Sequence, residues 1–150
     1  MIGRHIHRLI VTALILLSTC AVRAEIVVVV NSANPVTVLT RKQVIDIYTG
    51  RQLNFPDGNA ALPIDQALGS GIREEFYQAL VNKSAAEVNA YWARLLFSGV
   101  ASPPRALPTT DAVLKAVSEN SSVITYMDST EVVEPIEKGR VKIVFRLTDE

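Results

Sequence analysis

Four consecutive valines, Val27–Val30, place the tightest constraint on how this chain can fold. A strand with one face in solvent alternates apolar and polar side chains, whereas a continuous β-branched run is typical of a strand that is buried on both faces. Such a strand needs a layer of helices or a second sheet on each side. The sequence therefore predicts a central strand over residues 25–30 in a parallel or mixed sheet.

Helix start signals follow at intervals along the chain. Thr40 and Gln43 form a predicted capping box, and Ser84 with Glu87 forms another. In each pair the first side chain can accept from the backbone N–H of the second residue, and the second side chain can accept from the backbone N–H of the first. A third helix is predicted to begin at the threonines at positions 109 and 110. The helix after Ser84 is predicted to present a broad apolar face that runs as far as Leu96 and holds Trp92 in the core.

Short apolar runs alternate with these helices. Further strands are predicted over residues 61–66, 122–127 and 141–147, and a helix over residues 72–81. Three prolines exclude residues 101–108 from a helix or a central strand, so this segment is predicted to be an ordered loop or a crossover. The alternation predicts one α/β domain, a mixed β-sheet flanked by helices.

Residues 1–24 have the features of a secretory signal peptide. Arg4 and Arg8 precede an apolar stretch over residues 9–17, and Ala24 is a small residue at the predicted cleavage position. Cleavage there would leave a soluble periplasmic domain over residues 25–150. A second interpretation is a lipoprotein anchored at Cys20, because residues 17–20 approximate the bacterial lipoprotein signal.

The composition of the predicted domain excludes several classes of function. Without the first 24 residues the chain has twelve basic and fifteen acidic side chains, which is not the basic excess of a nucleic-acid-binding protein. His5, His7 and Cys20 are the only histidines and cysteine, and all lie in the predicted signal peptide. We therefore predict no catalytic triad, no imidazole or thiolate metal site and no cofactor, and hence a protein that is not an enzyme.

The segment Gly69–Arg73 is the candidate binding site. It joins a predicted strand to a predicted helix, where unpaired backbone N–H groups and the helix dipole favour an anion. Ser70 could donate its hydroxyl, Gly71 and Ile72 their N–H groups, and Arg73 a charged, bidentate contact. The alternative is structural: Ser70 only caps the helix, and Arg73 pairs with Asp65, Glu74 or another carboxylate.

Several segments between about residues 26 and 127 resemble the periplasmic phosphate-binding proteins of phosphate ABC transporters. They are residues 39–50, 62–64 leading into 69–71 and Phe76, 91–92 with 97–99, and Val117 with 122–126. The resemblance implies a lobe of the type II periplasmic binding protein fold. It also implies phosphate or a similar oxyanion as ligand, and a membrane permease or another periplasmic protein as partner.

Two departures from the family pattern change this expectation. The phosphate loop of the family resembles Arg-x-x-Gly-Ser-Gly-Thr, and here Gln66 replaces the arginine while Ile72 replaces the threonine. Only Ser70 and Gly71 match directly, with Arg73 as a substitute cation. Family members also bind the ligand between two lobes, and this chain has material for little more than one. We therefore expect weak oxyanion binding; the alternative is an interaction or sensor-accessory protein that keeps the fold without a ligand.

Overall fold

A five-stranded mixed sheet organises residues 24–147, the part of the chain that the computed structural model describes. The strands are β1 (Ile26–Asn31), β2 (Leu62–Asp65), β3 (Arg105–Ala106), β4 (Val123–Asp128) and β5 (Val141–Leu147). The helices are α1 (Arg41–Tyr48), α2 (Gly71–Val81), α3 (Ala85–Phe97), α4 (Thr110–Glu119) and α5 (Val133–Glu137). The spatial order of the strands is β3-β2-β4-β1-β5.

Strand β1 lies inside this sheet, as the valine run predicts. It pairs antiparallel with β4 on one side and with β5 on the other, while β2 runs parallel to both β3 and β4. All four side chains of Val27–Val30 are fully buried. Because successive side chains of a strand point to opposite faces, this burial requires a packed layer on each side of the sheet.

Two apolar layers supply that cover. Val28 and Val30 pack against the buried faces of α1, α2 and α3. The resulting cluster includes Phe76 and Trp92. Val27 and Val29 pack on the opposite face with Val113 of α4 and other side chains. The prediction of an α/β domain with helices on both sides of a mixed sheet is confirmed.

The predicted helix caps are present. Thr40 and Gln43 form both hydrogen bonds of a capping box at the start of α1, and Ser84 and Glu87 do so at α3. Of the two threonines considered for α4, Thr109 is the cap, and its hydroxyl accepts from the N–H of Ala112 at 3.1 Å. These contacts fix where three of the helices begin.

Three features differ from the sequence-based expectation. The proline-rich segment contains the two-residue edge strand β3, and the chain between β4 and β5 contains the short helix α5. The apolar face of α3 is narrower than predicted, because Leu96 is 53% exposed while Val88 and Trp92 are buried. Leu96 lies beyond the part of α3 that packs on the core.

Within residues 24–147, each helix is either too short or too polar to cross a bilayer. The predicted signal peptide and Cys20 lie outside the described residues, apart from Ala24.

Candidate functional site

The predicted binding segment lies at the edge of the sheet where the parallel strands β2 and β4 end. Strand β2 ends at Asp65, and residues 66–70 lead directly into α2. A hollow of about 280 Å³ opens there between the first turn of α2 and the first turn of α4. Its lining residues are Ala24, Ile26, Gly71, Ile72, Glu75, Thr110, Asp128 and Glu131. Two of the four predicted site residues, Gly71 and Ile72, therefore border a cavity.

The first turn of α2 is uncapped. Ser70 occupies the N-cap position with extended backbone angles, φ −73° and ψ 145°, but its side chain makes no capping hydrogen bond. The N–H groups of Gly71, Ile72 and Arg73 have no acceptor among the described residues. This turn therefore keeps three free backbone donors at the positive end of the helix dipole.

Two side-chain atoms of the same turn are also without a partner. Ser70 Oγ and Arg73 Nη1 are buried and make no hydrogen bond, and within residues 24–147 only Ser118 Oγ shares this condition. A buried polar atom that makes no hydrogen bond costs about 1–3 kcal/mol. The hydroxyl and the guanidinium can both donate, so an acceptor at this turn would remove the cost.

The other nitrogens of Arg73 are engaged. Nε donates to Asp65 Oδ2 at 2.9 Å, Nη2 donates to Asn89 Oδ1 at 2.9 Å, and the Asp65 and Arg73 side chains are only 3% and 4% exposed. Burial acts to lower the pKa of Arg73, but the hydrogen bond and charge of Asp65 outweigh burial, so the pKa is raised. Arg73 therefore forms the Asp65 ion pair that the structural alternative describes, with one nitrogen left over.

Asp65 is the centre of a buried network. Its carboxylate also accepts from the N–H of Gln66 at 3.0 Å, from the hydroxyl of Tyr77 at 3.1 Å and from the hydroxyl of Tyr126. Burial, and after it the charge of Asp65, raises the pKa values of Tyr77 and Tyr126 well above 10.0. The network joins the end of β2 to α2 and β4, so it holds the first turn of α2 in place.

Gln66 brings no charge to the turn. Its side chain is buried, and Nε2 donates to the backbone carbonyl of Tyr126 at 2.7 Å. Where the resemblance implies an arginine, this chain therefore has a neutral link to β4.

The hollow itself carries negative charge. Three of its lining residues are Glu75, Asp128 and Glu131, and none is a lysine or an arginine. Partial burial, followed by the charges of Asp128 and Asp111, raises the pKa of Glu131. An anion at the first turn of α2 would therefore meet favourable donors on one side and repelling carboxylates on the other.

Sequence reasoning missed most of this network. The sequence indicates Asp65 only as a possible partner of Arg73, although a carboxylate at the end of an apolar strand is itself a signal of a buried pair. Asn89 and Tyr126 gave no local signal, since they lie 16 residues from Arg73 and 61 residues from Asp65 in the chain.

Solved structures of bacterial proteins share the fold of this chain, and those from Vibrio cholerae and Clostridium perfringens are named for phosphate transport. An ABC-type phosphate transport receptor from Vibrio cholerae is 21% identical, with a TM-score of 0.61 over 81% of this chain and 45% of the receptor. PstS from Borrelia burgdorferi is 16% identical, with a TM-score of 0.62 over 81% of this chain and 46% of PstS. A Clostridium perfringens protein, assigned as a phosphate ABC transporter substrate-binding protein and crystallised with phosphate, is 19% identical, with a TM-score of 0.57 over 85% of this chain and 56% of that protein.

No family model and no curated protein matches the chain. The chain spans about half the length of the solved structures that it resembles. At these identities the likeness shows the fold, and the predicted periplasmic-binding-protein-like class is confirmed.

Proposed function

We propose that the chain is an exported solute-binding-like protein, and that the first turn of α2 binds a small oxyanion weakly, with phosphate as the first candidate. The observation that carries the proposal is the pair of buried, unpartnered donors in that turn, Ser70 Oγ and Arg73 Nη1. The fold likeness to phosphate receptors supports the choice of ligand, and the sequence of residues 1–24 supports export.

The donor set suits an oxyanion because an oxyanion only accepts hydrogen bonds. Gly71 and Ile72 border the hollow, and Ser70 and Arg73 belong to the same turn. Ser70 and Arg73 do not line the hollow, so all four donors reach one anion only if this turn moves against the hydrogen bonds that tie Arg73 to Asp65 and Asn89. The site binds and does not catalyse, because none of these groups is an activated nucleophile or a base.

The same geometry limits the affinity. Asp65 compensates the charge of Arg73, and three carboxylates line the hollow. The hollow beside Gly71 and Ile72 is open to water, so hydrogen bonds made there replace bonds that the anion makes to solvent. We expect a dissociation constant in about the micromolar to millimolar range.

A membrane permease or another periplasmic protein is the proposed partner. The receptors from Vibrio cholerae and Clostridium perfringens carry transport functions in their names, and this chain spans about half of each. No nucleic-acid partner is proposed.

A second candidate is an interaction protein that keeps the fold without a ligand. It is favoured by the engagement of Arg73 with Asp65 and by a separate cleft of about 670 Å³, bordered by Leu53, Pro103 and Pro104. In this alternative, the proline-rich loop or the loop at residues 54–58 contacts the partner.

Isothermal titration of the purified protein with phosphate and sulfate tests the first proposal, and Gly71 gives a matched pair of variants. Proline is favoured at the first position of a helix and removes one N–H donor. The extended backbone of Ser70 suits a following proline, and an added Cβ at Gly71 meets nothing within 4 Å. Gly71→Pro should weaken binding about three- to tenfold because it removes one donor, whereas Gly71→Ala should keep the affinity.

Ser70→Ala is a second test of the site. We expect this variant to bind the anion about three- to tenfold more weakly, because one hydrogen bond is lost. Equal affinity in Gly71→Pro and Gly71→Ala would contradict the proposed site. Absence of binding in the natural protein at about 10 mM anion would favour the interaction protein instead.

A further inference from the structure

A second hollow lies among α1, α2 and α3, where the first two helices end. Its volume is about 310 Å³, which is within the usual range for sites that hold small organic molecules. Its walls are mainly aromatic and aliphatic. They include Tyr48, Tyr77, Val81, Val88, Tyr91 and Trp92. We call it the tyrosine hollow.

The hydroxyl groups of the three tyrosines are already used elsewhere. Tyr91 donates to the carbonyl of Thr49 at 2.7 Å, Tyr77 donates to Asp65, and Tyr48 donates to strand carbonyls at 3.2 Å. None of the three therefore offers a ligand a free hydrogen-bond donor, and only the ring of Tyr91 is partly exposed, because Tyr48 and Tyr77 are buried. Hydrogen bonds or ion pairs to a ligand must therefore come from the other lining residues.

The charged residues among them give the tyrosine hollow a positive charge. Arg51 and Lys83 line it, and no aspartate or glutamate does. Arg51 lies 3.9 Å from Asp46, which is also paired with Lys42. Lys83 forms no ion pair among the described residues, and the nearby Glu87 is occupied in capping α3. Both cations are thus able to meet an anionic group.

We propose that the tyrosine hollow binds a small organic carboxylate with an apolar body. The body packs against Tyr91, Trp92 and the aliphatic side chains, and the carboxylate faces Arg51 and Lys83. This site is separate from the first turn of α2 and does not depend on the anion proposal. The larger cleft is a weaker candidate, because its lining contains both Arg105 and Glu119 and so favours neither sign of charge.

The test is an NMR titration of the purified protein with 4-phenylbutyrate and with its neutral amide. We expect the carboxylate to bind with a dissociation constant of about 0.1–1 mM and the amide to bind several-fold more weakly. Arg51→Ala and Lys83→Ala should each weaken binding of the carboxylate about two- to fivefold, and together about tenfold. Lys115→Ala on α4 is the matched control and should leave affinity unchanged.

The site is located by nuclear Overhauser contacts and by filling the cavity. Contacts from the phenyl ring to Tyr91 and Val88, which do not line the larger cleft, and loss of binding in Val81→Trp are expected. Contacts to Leu53 and Leu107 would place the probe in the larger cleft and overturn the proposal. Equal affinity for the carboxylate and the amide would also overturn the proposal. Unchanged affinity in the double variant, or no binding at about 10 mM probe, would do the same.

Discussion

The buried carboxylate of Asp65 is the most consequential single group near the candidate site, and Asp65→Asn is the perturbation that tests its role. The change keeps the shape of the side chain but replaces a charge that accepts four hydrogen bonds with an amide. One oxygen remains as an acceptor, and the new NH₂ group faces donors from Arg73, Tyr77, Tyr126 or the backbone of Gln66. Arg73 then stays buried without a counter-charge.

The expected cost follows from burial. Asp65 and Arg73 have side chains only 3% and 4% exposed, so solvent screens their interaction poorly. Removing one partner of a buried ion pair costs about 3–5 kcal/mol, because the remaining charge is left uncompensated. A domain of this size has a total stability of about 5–15 kcal/mol and shifts its melting temperature by about 4 °C per kcal/mol. We expect Asp65→Asn to lower the melting temperature by about 12–20 °C.

Urea unfolding followed by circular dichroism gives the free energy directly, with Asp57→Asn as an exposed control. The control should stay within about 0.5 kcal/mol of the natural protein. Combining Asp65→Asn with Arg73→Gln should cost less than the sum of the single variants, with a coupling of about 1–3 kcal/mol. A loss below about 1 kcal/mol for Asp65→Asn would refute the assignment of this network as a major source of stability.

Three further outcomes are expected. The pKa values of Tyr77 and Tyr126 are raised in the folded protein, so these tyrosines stabilise the fold below pH 10.0, and this stabilisation is lost as the pH rises above 10.0. Their tyrosinate absorbance should therefore appear together with the loss of circular dichroism. Ionisation of all tyrosines in the folded protein would contradict this prediction. Gly71→Ala should stabilise by about 0.4–1 kcal/mol in urea unfolding, because the added Cβ meets nothing within 4 Å, and destabilisation would show strain at this position. Glu131→Gln should tighten sulfate binding about two- to fivefold in calorimetry by removing a carboxylate from the hollow, and unchanged affinity would place the anion elsewhere.

The sequence predicted the features that depend on neighbouring residues. The valine run identified a strand buried on both faces, and three caps identified where helices begin, because each signal lies within a few residues of the structure that it specifies. The short elements β3 and α5 were missed. Proline is compatible with an edge strand and with a first helical turn, so composition alone could not distinguish these from a loop.

The candidate site was predictable in part for the same reason. Glycines around Ser70 and the following amphipathic run indicated a helix start at which Ser70 either caps the helix or donates to an anion. The structure has a helix start there, and the Ser70 side chain makes no capping hydrogen bond. The charge that an anion would meet was not predictable. It depends on Asp65 at the end of β2 and on Asp128 at the end of β4 with Glu131 beyond it. Asp65 is more than sixty positions from the other two in the chain, and they share one edge of the sheet only because β2 and β4 lie side by side.

The carboxylates that line the hollow decide how the site would respond to a partner that covers it. In water, one carboxylate about 4 Å from an anion repels it by only about 1 kcal/mol, a cost that the free donors of the α2 turn can offset. Covering the hollow lowers the effective dielectric constant and strengthens both the hydrogen bonds and the repulsion. With Glu75, Asp128 and Glu131 in the lining, a neutral cover would increase repulsion from three charges. A surface that closes this hollow over an anion must therefore bring positive charge of its own.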